Sequence, residues 1–173
     1  GTYFGGVNYY NPTDDHTSYY EANPDMPHAL SFPVVGKMQE DAEHNLWICT
    51  EGGGLNFLDR QTRQFTRYVH NKGGLSGIGH NNLKCIWLRK ETGQLYIGTH
   101  TGGLTIFDTR RKTAHTLKNS PDKANSLPSN VINDLQPYKG KLVLSTQAGI
   151  VAMNPETETF EPLSPLPDVR SLI

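Results

Sequence analysis

The chain has 173 residues and a formal net charge of -1, with 35% hydrophobic and 19% charged residues. This length suits one domain with a sizeable core. Charges of both signs are mixed along the chain, which argues against a nucleic-acid or anionic-membrane partner, and no run reaches the ~20 apolar residues of a membrane span. The first residue is Gly1, without a start methionine or signal sequence, so we expect a segment of a longer protein.

One short string recurs along the chain. It opens with "GTYFGGVNYY", and "GTHTGGLTIF" returns at residues 98–107. The threonines that occupy the same place in successive copies are Thr2, Thr50, Thr99 and Thr146, which are separated by 48, 49 and 47 residues. Self-similarity at a fixed distance predicts a repeated structural unit of about 48 residues.

Each unit contains four short apolar segments in the same order. After the opening "GVNYY", these are "VVGKMQE", "LWICT", "GLNFLD" and "QFTRY", then "LKCIWLR", "LYIGT", "GLTIFD" and "AHTLK", then "NVINDLQ", "LVLST", "GIVAMN" and "TFEPL". They are rich in β-branched and aromatic residues and are bounded by Gly, Asn, Asp and Pro, which predicts strands joined by turns and no helix. Each unit is therefore predicted to be a four-stranded antiparallel meander.

A meander of this size cannot bury both of its apolar faces alone, so the units must stack. Four strands at this period are typical of the blades of a β-propeller, and a β-sandwich or a β-solenoid is the less favoured architecture. We predict an all-β propeller fragment of three whole blades with partial blades at both ends, an arc expected to associate with missing blades or with its own copy. The predicted division is 1–12 (second half of a blade), 13–33 (long inter-blade loop), 34–70, 71–117 and 118–163 (whole blades), and 164–173 (start of the next blade).

The recurring "GT-x-x-GG" string is predicted to be a tight turn between the second and third strands of each unit. The threonine ends one strand, and the paired glycines let the backbone take positive φ before the next strand begins.

The repeat resembles that of the two-component regulator propeller. The resemblance rests on "MQEDAEHNLWICTEGGGLNFLD" at 38–59, on "WLRKETGQLYIGTHTGGLTIFD" at 87–108 and on "GTYFGGVNYYNP" at 1–12. The third unit departs from the pattern, because Ser145 replaces a glycine and its turn is one residue shorter; Cys49 also stands at a glycine position. The resemblance covers most of the chain.

The resemblance implies a sensor rather than a catalyst. Such propellers form the periplasmic part of hybrid two-component regulators and are thought to bind oligosaccharides and to signal as dimers. A histidine kinase and further blades of the full-length protein would then lie outside this chain. No cofactor is implied. An enzyme on the same fold, such as a lyase or glycoside hydrolase, and a protein-binding scaffold with the Pro-rich "PLSPLPDV" as a contact remain alternatives.

Four residues occupy the same variable position of the GT turn. They are Tyr3, Glu51, His100 and Gln147. A position that is fixed in the fold while its chemistry varies can form a binding surface on a repeat protein, so these are candidate ligand-binding residues. The alternative is that they are solvated turn residues.

Aromatic residues give three further candidates for ligand contact. Tyr19 and Tyr20 lie in the long segment 13–33, and long loops on a rigid scaffold tend to carry specificity. Trp87 either stacks on a sugar or packs in the core. Trp47, Tyr96 and Leu142 are nearly repeat-equivalent, and we expect them to pack between blades.

Acid–base catalysis would need carboxylates that meet in one place. The candidates are Glu40, Asp41 and Asp134, near the ends of first strands, although Asp41 belongs to the repeat motif and is expected to cap its turn. The seven histidines lack metal-ligand spacing, so no metal is expected. Cys49 and Cys85 lie in apolar runs, as buried small hydrophobes or as a disulfide.

Overall fold

The computed structural model describes residues 7–11, 16–70 and 77–163, and all regular structure in these ranges is β-strand. The strands are β1 (Val7–Asn11), β2 (His16–Tyr20), β3 (Val35–Glu40), β4 (Leu46–Thr50), β5 (Leu55–Asp59), β6 (Gln64–Tyr68), β7 (Leu83–Arg89), β8 (Gln94–Thr99), β9 (Leu104–Asp108), β10 (Thr113–Leu117), β11 (Ile132–Tyr138), β12 (Lys141–Thr146), β13 (Gly149–Asn154) and β14 (Thr159–Pro162). Across these ranges, no helix long and apolar enough to cross a membrane is found.

The strands form three four-stranded antiparallel meanders and one two-stranded sheet. The first sheet is β3–β6, the second sheet is β7–β10 and the third sheet is β11–β14, each with its strands adjacent in chain order. β1 and β2 pair with each other. One sheet per repeat unit is what the sequence period predicts, and the predicted all-β propeller fragment is confirmed.

The sheets bury one another because their central strands are apolar on both faces. On β8, Tyr96 belongs to the core between the second and third sheets, whereas its neighbours Leu95 and Ile97 belong to the core between the first and second. Successive side chains of a strand point to opposite faces, so a run such as "LYI" supplies two cores at once. A third core joins Val7 of β1 to Ile48 and other apolar residues of the first sheet.

The first strands of the three sheets lie next to one another, since β7 contacts both β3 and β11. Each first strand also carries a register irregularity where it pairs with the second strand, between Val35 and Met38, Leu83 and Cys85, and Ile132 and Asp134. A β-bulge bends and twists a strand locally. The repeated bulge therefore shapes the inner wall of the arc at the same place in each sheet.

The segment predicted as a long inter-blade loop, 13–33, contains a strand. β2 pairs with β1 along its whole length, from Val7 opposite Tyr20 to Asn11 opposite His16. Its sequence "HTSYY" has the β-branched and aromatic residues of a fourth blade strand, so the connection to the next sheet is shorter than predicted. The strands of the three large sheets fall within the predicted ranges 34–70, 71–117 and 118–163, whose limits stay a prediction. Residues 1–6 and 164–173 lie outside the described residues.

The connection that follows β2 is fixed by one arginine. The guanidinium of Arg67, on β6, donates to the backbone carbonyls of five residues at 2.5 to 3.4 Å, namely Asn23, Pro24, Met26, Ala29 and Leu30. The backbone N–H of Phe65 also donates to the His28 carbonyl. Because Arg67 offers five N–H donors in one plane, a single side chain can bond to all five of these carbonyls.

The expected packing of Trp47 and Tyr96 between sheets is confirmed, since both are buried in inter-sheet cores. Leu142 also packs between the second and third sheets, as expected, although its alignment with Trp47 and Tyr96 is wrong by one residue. Aligned on the turn threonine, the counterpart of Trp47 and Tyr96 is Val143, which lies on the opposite face of the third sheet in a shallow depression with Tyr138. The error arose because a shift of one residue along a strand exchanges its faces.

Both cysteines are buried as unpaired thiols. Cys49 belongs to the core between the first and second sheets, and Cys85 to the core between the second and third. Burial raises the pKa of both thiols, that of Cys85 to about 12. The interpretation as small buried hydrophobes is the one that the structure supports.

Candidate functional site

The GT turns join β4 to β5, β8 to β9 and β12 to β13, at one end of the sheets; we call this end the GT face. In the second sheet, Thr99 Oγ1 donates to the Gly103 carbonyl and accepts from the Gly102 N–H, both at 2.8 Å. Thr50 and Thr146 make the same pair of bonds at 2.7 to 3.2 Å. The threonine therefore recurs because its hydroxyl closes the turn from inside.

The two glycines of the turn have different structural roles. Only one of them adopts positive φ, which corrects the prediction for the pair. The second of the pair does, with φ of 74° at Gly54 and 87° at Gly103. The first is needed because another segment packs on it. A Cβ on Gly53 would lie 2.1 Å from Ser31 Oγ, and one on Gly102 would lie 2.5 Å from the Gly79 carbonyl oxygen.

The turns of the first and second sheets are also bonded to the segment that leads into the next sheet. The Asn81 carbonyl accepts the N–H groups of Gly52 and Gly54, and the Asn130 carbonyl accepts that of Gly103. These asparagines were not among the predicted site residues. Their spacing of 49 residues equals that of Thr50 and Thr99, so the repeat itself held the signal. The GT face is thus a rigid surface built from turns and inter-sheet crossings.

Three of the four predicted turn residues lie on this face, and Tyr3 lies outside the described residues. The carboxylate of Glu51 is 3.2 Å from Lys84 Nζ of the second sheet, and Glu51 forms a β-bridge with Asn82. The carbonyl of Asn82 accepts the N–H of His100. Asn82 therefore connects Glu51 to His100 across the junction of the first and second sheets.

His100 and Gln147 are exposed, whereas Glu51 is half-buried. The N–H of Gln147 donates to the Val131 carbonyl, as that of His100 does to the Asn82 carbonyl. The backbone of the variable position is thus fixed, while its side chain is available to solvent or to a ligand.

The other predicted contact residues lie on strands outside the GT turns. Tyr19 is on β2 and is 58% exposed. The ring of Tyr20 packs edge-on against Phe65, with the centroids 5.5 Å apart. Trp87 lies near the far end of β7, half-buried, with its ring centroid 5.3 Å from that of Tyr96. The GT face therefore gathers the turn residues but not these aromatic ones.

The three carboxylates considered for catalysis each have another role. Asp41 accepts from the N–H groups of Glu43 and Asn45 and from Trp47 Nε1, which confirms it as a turn cap. His44 and Arg60 bind Glu40, and the hydrogen bond from His44 is the main cause of its lowered pKa.

Asp134 pairs with Lys37 at 2.5 Å across the inner wall of the arc. A general acid needs a raised pKa, whereas the pKa of Glu40 is lowered. Among the described residues, no three His, Cys, Asp or Glu side chains form a group that could hold a metal ion.

Comparison with solved structures places the fold among sensor ectodomains. The extracellular domain of the hybrid two-component system BT3049 from B. thetaiotaomicron is 28% identical with a TM-score of 0.69, over 91% of this chain and 20% of that one. Two structures of the BT4673 extracellular domain from the same organism are similar. One, of a hybrid two-component system, is 28% identical with a TM-score of 0.66, over 86% of this chain and 21% of that one. The other, of a one-component system, is 26% identical with a TM-score of 0.68, over 92% of this chain and 23% of that one.

The resemblance to two-component regulator propellers is confirmed. The chain spans about a fifth of the length of each of these ectodomains. All three are extracellular domains, in agreement with the expected periplasmic location. No family model matches the chain, and no curated protein does.

Proposed function

We propose that this chain is a ligand-sensing segment of the periplasmic part of a hybrid two-component regulator, and that it binds an oligosaccharide on the GT face. The observation that carries the proposal is the fixed turn backbone that presents Glu51, His100 and Gln147 on one face of a fold similar to sensor ectodomains. A carboxylate, an imidazole and an amide are suitable hydrogen-bonding partners for sugar hydroxyls.

Transmission of the signal is a further part of the proposal. A ligand that binds one arrangement of the ectodomain better than another shifts the population toward that arrangement. The change in packing, within the ring of blades or between two copies, would then reach a histidine kinase outside this chain. In this scheme the sugar is bound and released unchanged.

The test is a thermal-shift screen of the 173-residue chain against a panel of plant, host and microbial oligosaccharides, with each sugar recovered and analysed by chromatography. A ligand that binds only the folded state raises the unfolding temperature. We expect at least one sugar to do so and to be recovered intact. A Glu51→Gln, His100→Ala double variant should show a smaller shift.

Arg111→Ala is the matched control, because Arg111 is exposed and lies in the β9–β10 turn, at the end of β9 that is opposite the GT face. It should keep the full shift. Equal loss in the control and in the double variant, or no shift with any sugar, would contradict the proposed site. Recovery of cleaved sugar would instead favour an enzyme.

A further inference from the structure

Two clefts lie between neighbouring sheets at the end opposite the GT face. The first cleft, of about 290 Å³, lies between the first and second sheets and is lined by Asp41, Trp47 and Lys112 among others. The second cleft, of about 370 Å³, lies between the second and third sheets and is lined by Trp87, Glu91, Tyr138 and Lys139 among others. Both lie at the turns between the first and second strands, so the clefts are equivalent in the repeat.

In the first cleft, a lysine of the chain itself lies over the aromatic rings. Lys112 Nζ lies 4.8 Å from the ring centroid of Trp47 and 5.1 Å from that of Phe57. An ammonium over aromatic faces is attracted by their negative potential. Desolvation there lowers the pKa of Lys112. Lys112 thus covers the aromatic rings of this cleft.

In the second cleft, no lysine lies over the indole in this way among the described residues. Arg63, Lys112 and Glu158 occupy the same place in the turn between the third and fourth strands, with φ of 58°, 57° and 56°. Glu158 is bound by His115 Nε2, with both carboxylate oxygens within 3.0 Å. The residue equivalent to Lys112 is therefore held by a different partner, on β10.

Aromatic rings line the second cleft on both sides. Trp87 is half-buried and is supported from behind by Tyr96, at an interplanar angle of 31°. Gln39 and Gln136 occupy the position of Trp87 in the other sheets, since they pair with Trp47 and Val143 as Trp87 pairs with Tyr96. Each cleft thus contains one indole, but that of the first cleft, Trp47, is covered by Lys112, whereas Trp87 has no such lysine over it among the described residues.

The charges of the second cleft are balanced. Arg89 is paired with Glu156 at 2.7 Å, and Lys141 is paired with Glu161. The Glu91 carboxylate has no hydrogen bond or ion pair with any of the described residues. Lys139 Nζ lies 5.1 Å from the Tyr138 ring, which is itself 45% exposed.

We propose that the second cleft binds one ring of an uncharged sugar, with Trp87 as the stacking platform and Glu91 and Lys139 as hydrogen-bonding partners of its hydroxyls. The cleft is concave and combines two aromatic rings with charged side chains, and its volume of about 370 Å³ is within the usual size of a small-molecule site. One carboxylate and one ammonium, neither of them in an ion pair with the described residues, together favour a ligand without net charge. The ligand class rests on the proposed function, whereas the site is separate from the GT face.

The test uses the full chain labelled with 5-fluorotryptophan, which gives one ¹⁹F NMR signal each for Trp47 and Trp87, assigned with Trp87→Phe. Methyl glucoside, methyl galactoside, methyl mannoside, N-acetylglucosamine and glucuronate are titrated separately. We expect at least one uncharged sugar to shift the Trp87 signal saturably and to leave the buried Trp47 signal in place. The Glu91→Gln, Lys139→Met double variant should weaken this binding by about tenfold.

Glu51→Gln on the GT face is the matched control and should leave the Trp87 titration unchanged, so failure of the GT-face proposal and failure of this one are distinguishable. The proposal is overturned if no uncharged sugar shifts the Trp87 signal, if glucuronate alone does so, or if the double variant binds as tightly as the parent chain. Because Glu91 and Lys139 are exposed, their replacement tests the site without disturbing the core.

Discussion

Gly98, on β8, lies where the second and third sheets pack so closely that only a glycine fits without strain. A Cβ there would lie 2.4 Å from Cys85 Sγ and 2.7 Å from Ile132 Cγ2 of the third sheet. We expect Gly98→Ala to lower the free energy of unfolding by about 1–3 kcal/mol, because overpacking forces the core apart. Denaturant unfolding of the two proteins measures this difference.

Gly36→Ala is the matched control for that substitution. Gly36 also lies on a strand, but its Cβ would meet neighbours no nearer than 3.7 Å, an ordinary contact. Its effect should stay within about 0.5 kcal/mol. Similar losses in both variants would show that the strand, rather than the contact between sheets, is sensitive to the added methyl group.

The buried thiols predict a stability change at alkaline pH. Burial raises the pKa of Cys85 from 9.0 to about 12, so the folded chain keeps the thiol protonated at a pH where the unfolded chain ionises it. This contribution to stability is complete below pH 9 and is lost as the pH rises toward 12, by up to about 1.4 kcal/mol per pH unit.

We therefore expect the stability difference between the parent chain and Cys85→Ala to shrink between pH 9 and pH 11. Urea unfolding of both proteins at several pH values gives the difference directly. Because tyrosines and lysines titrate equally in both chains, a difference that stays constant over this range would rule out ionisation of the Cys85 thiol as the cause.

At the scale of the element, the GT turn depends on its threonine. Thr99 is fully buried, and Thr99→Val keeps its shape while removing the bonds to Gly102 and Gly103. We expect a loss of about 2 kcal/mol, since two buried backbone groups lose a partner. Thr101→Val, in the exposed part of the same turn, should cost about 0.5 kcal/mol or less. Thermal unfolding of both variants separates a loss of turn closure from a general intolerance of valine in the turn.

The strands and turns could be predicted because their signals are local and repeated. "LYIGT" predicts a buried strand from its own composition, and the repeat confirms the prediction twice more. β2 was not predicted because β1 and β2 form only half of a repeat unit in this chain. The sequence "HTSYY" could therefore not be aligned as part of a complete unit of four strands. The pairing of Tyr20 with Val7 depends on tertiary context that "HTSYY" alone does not carry.

At the scale of the whole molecule, an ion pair spans the inner wall of the arc. Lys37 of the first sheet and Asp134 of the third sheet pair across the second sheet, with side chains 47% and 45% exposed. An exposed pair contributes about 1 kcal/mol or less and is screened by salt. A double-mutant cycle with Lys37→Met and Asp134→Asn should give a coupling of this size at low salt that falls in 1 M NaCl. A coupling that is large and independent of salt would contradict solvent screening of the pair.

The candidate sites were predictable only in part. The shared position of Glu51 and His100 follows from the repeat period, whereas Asn82, which connects them, is visible only once two sheets meet. Trp87 was recognised as an aromatic candidate from its type. Its cleft partners Glu91 and Tyr138 come from different units, and their meeting depends on how the sheets stack.

The connection held by Arg67 also bears on how this surface can evolve. Every acceptor of that guanidinium is a backbone carbonyl, so the bonds from Arg67 do not depend on which side chains the connection carries. Substitutions at exposed positions such as Met26 should therefore be tolerated while the path of the chain persists. Homologues that retain this arginine could therefore differ in the exposed side chains of the connection while keeping the same backbone path.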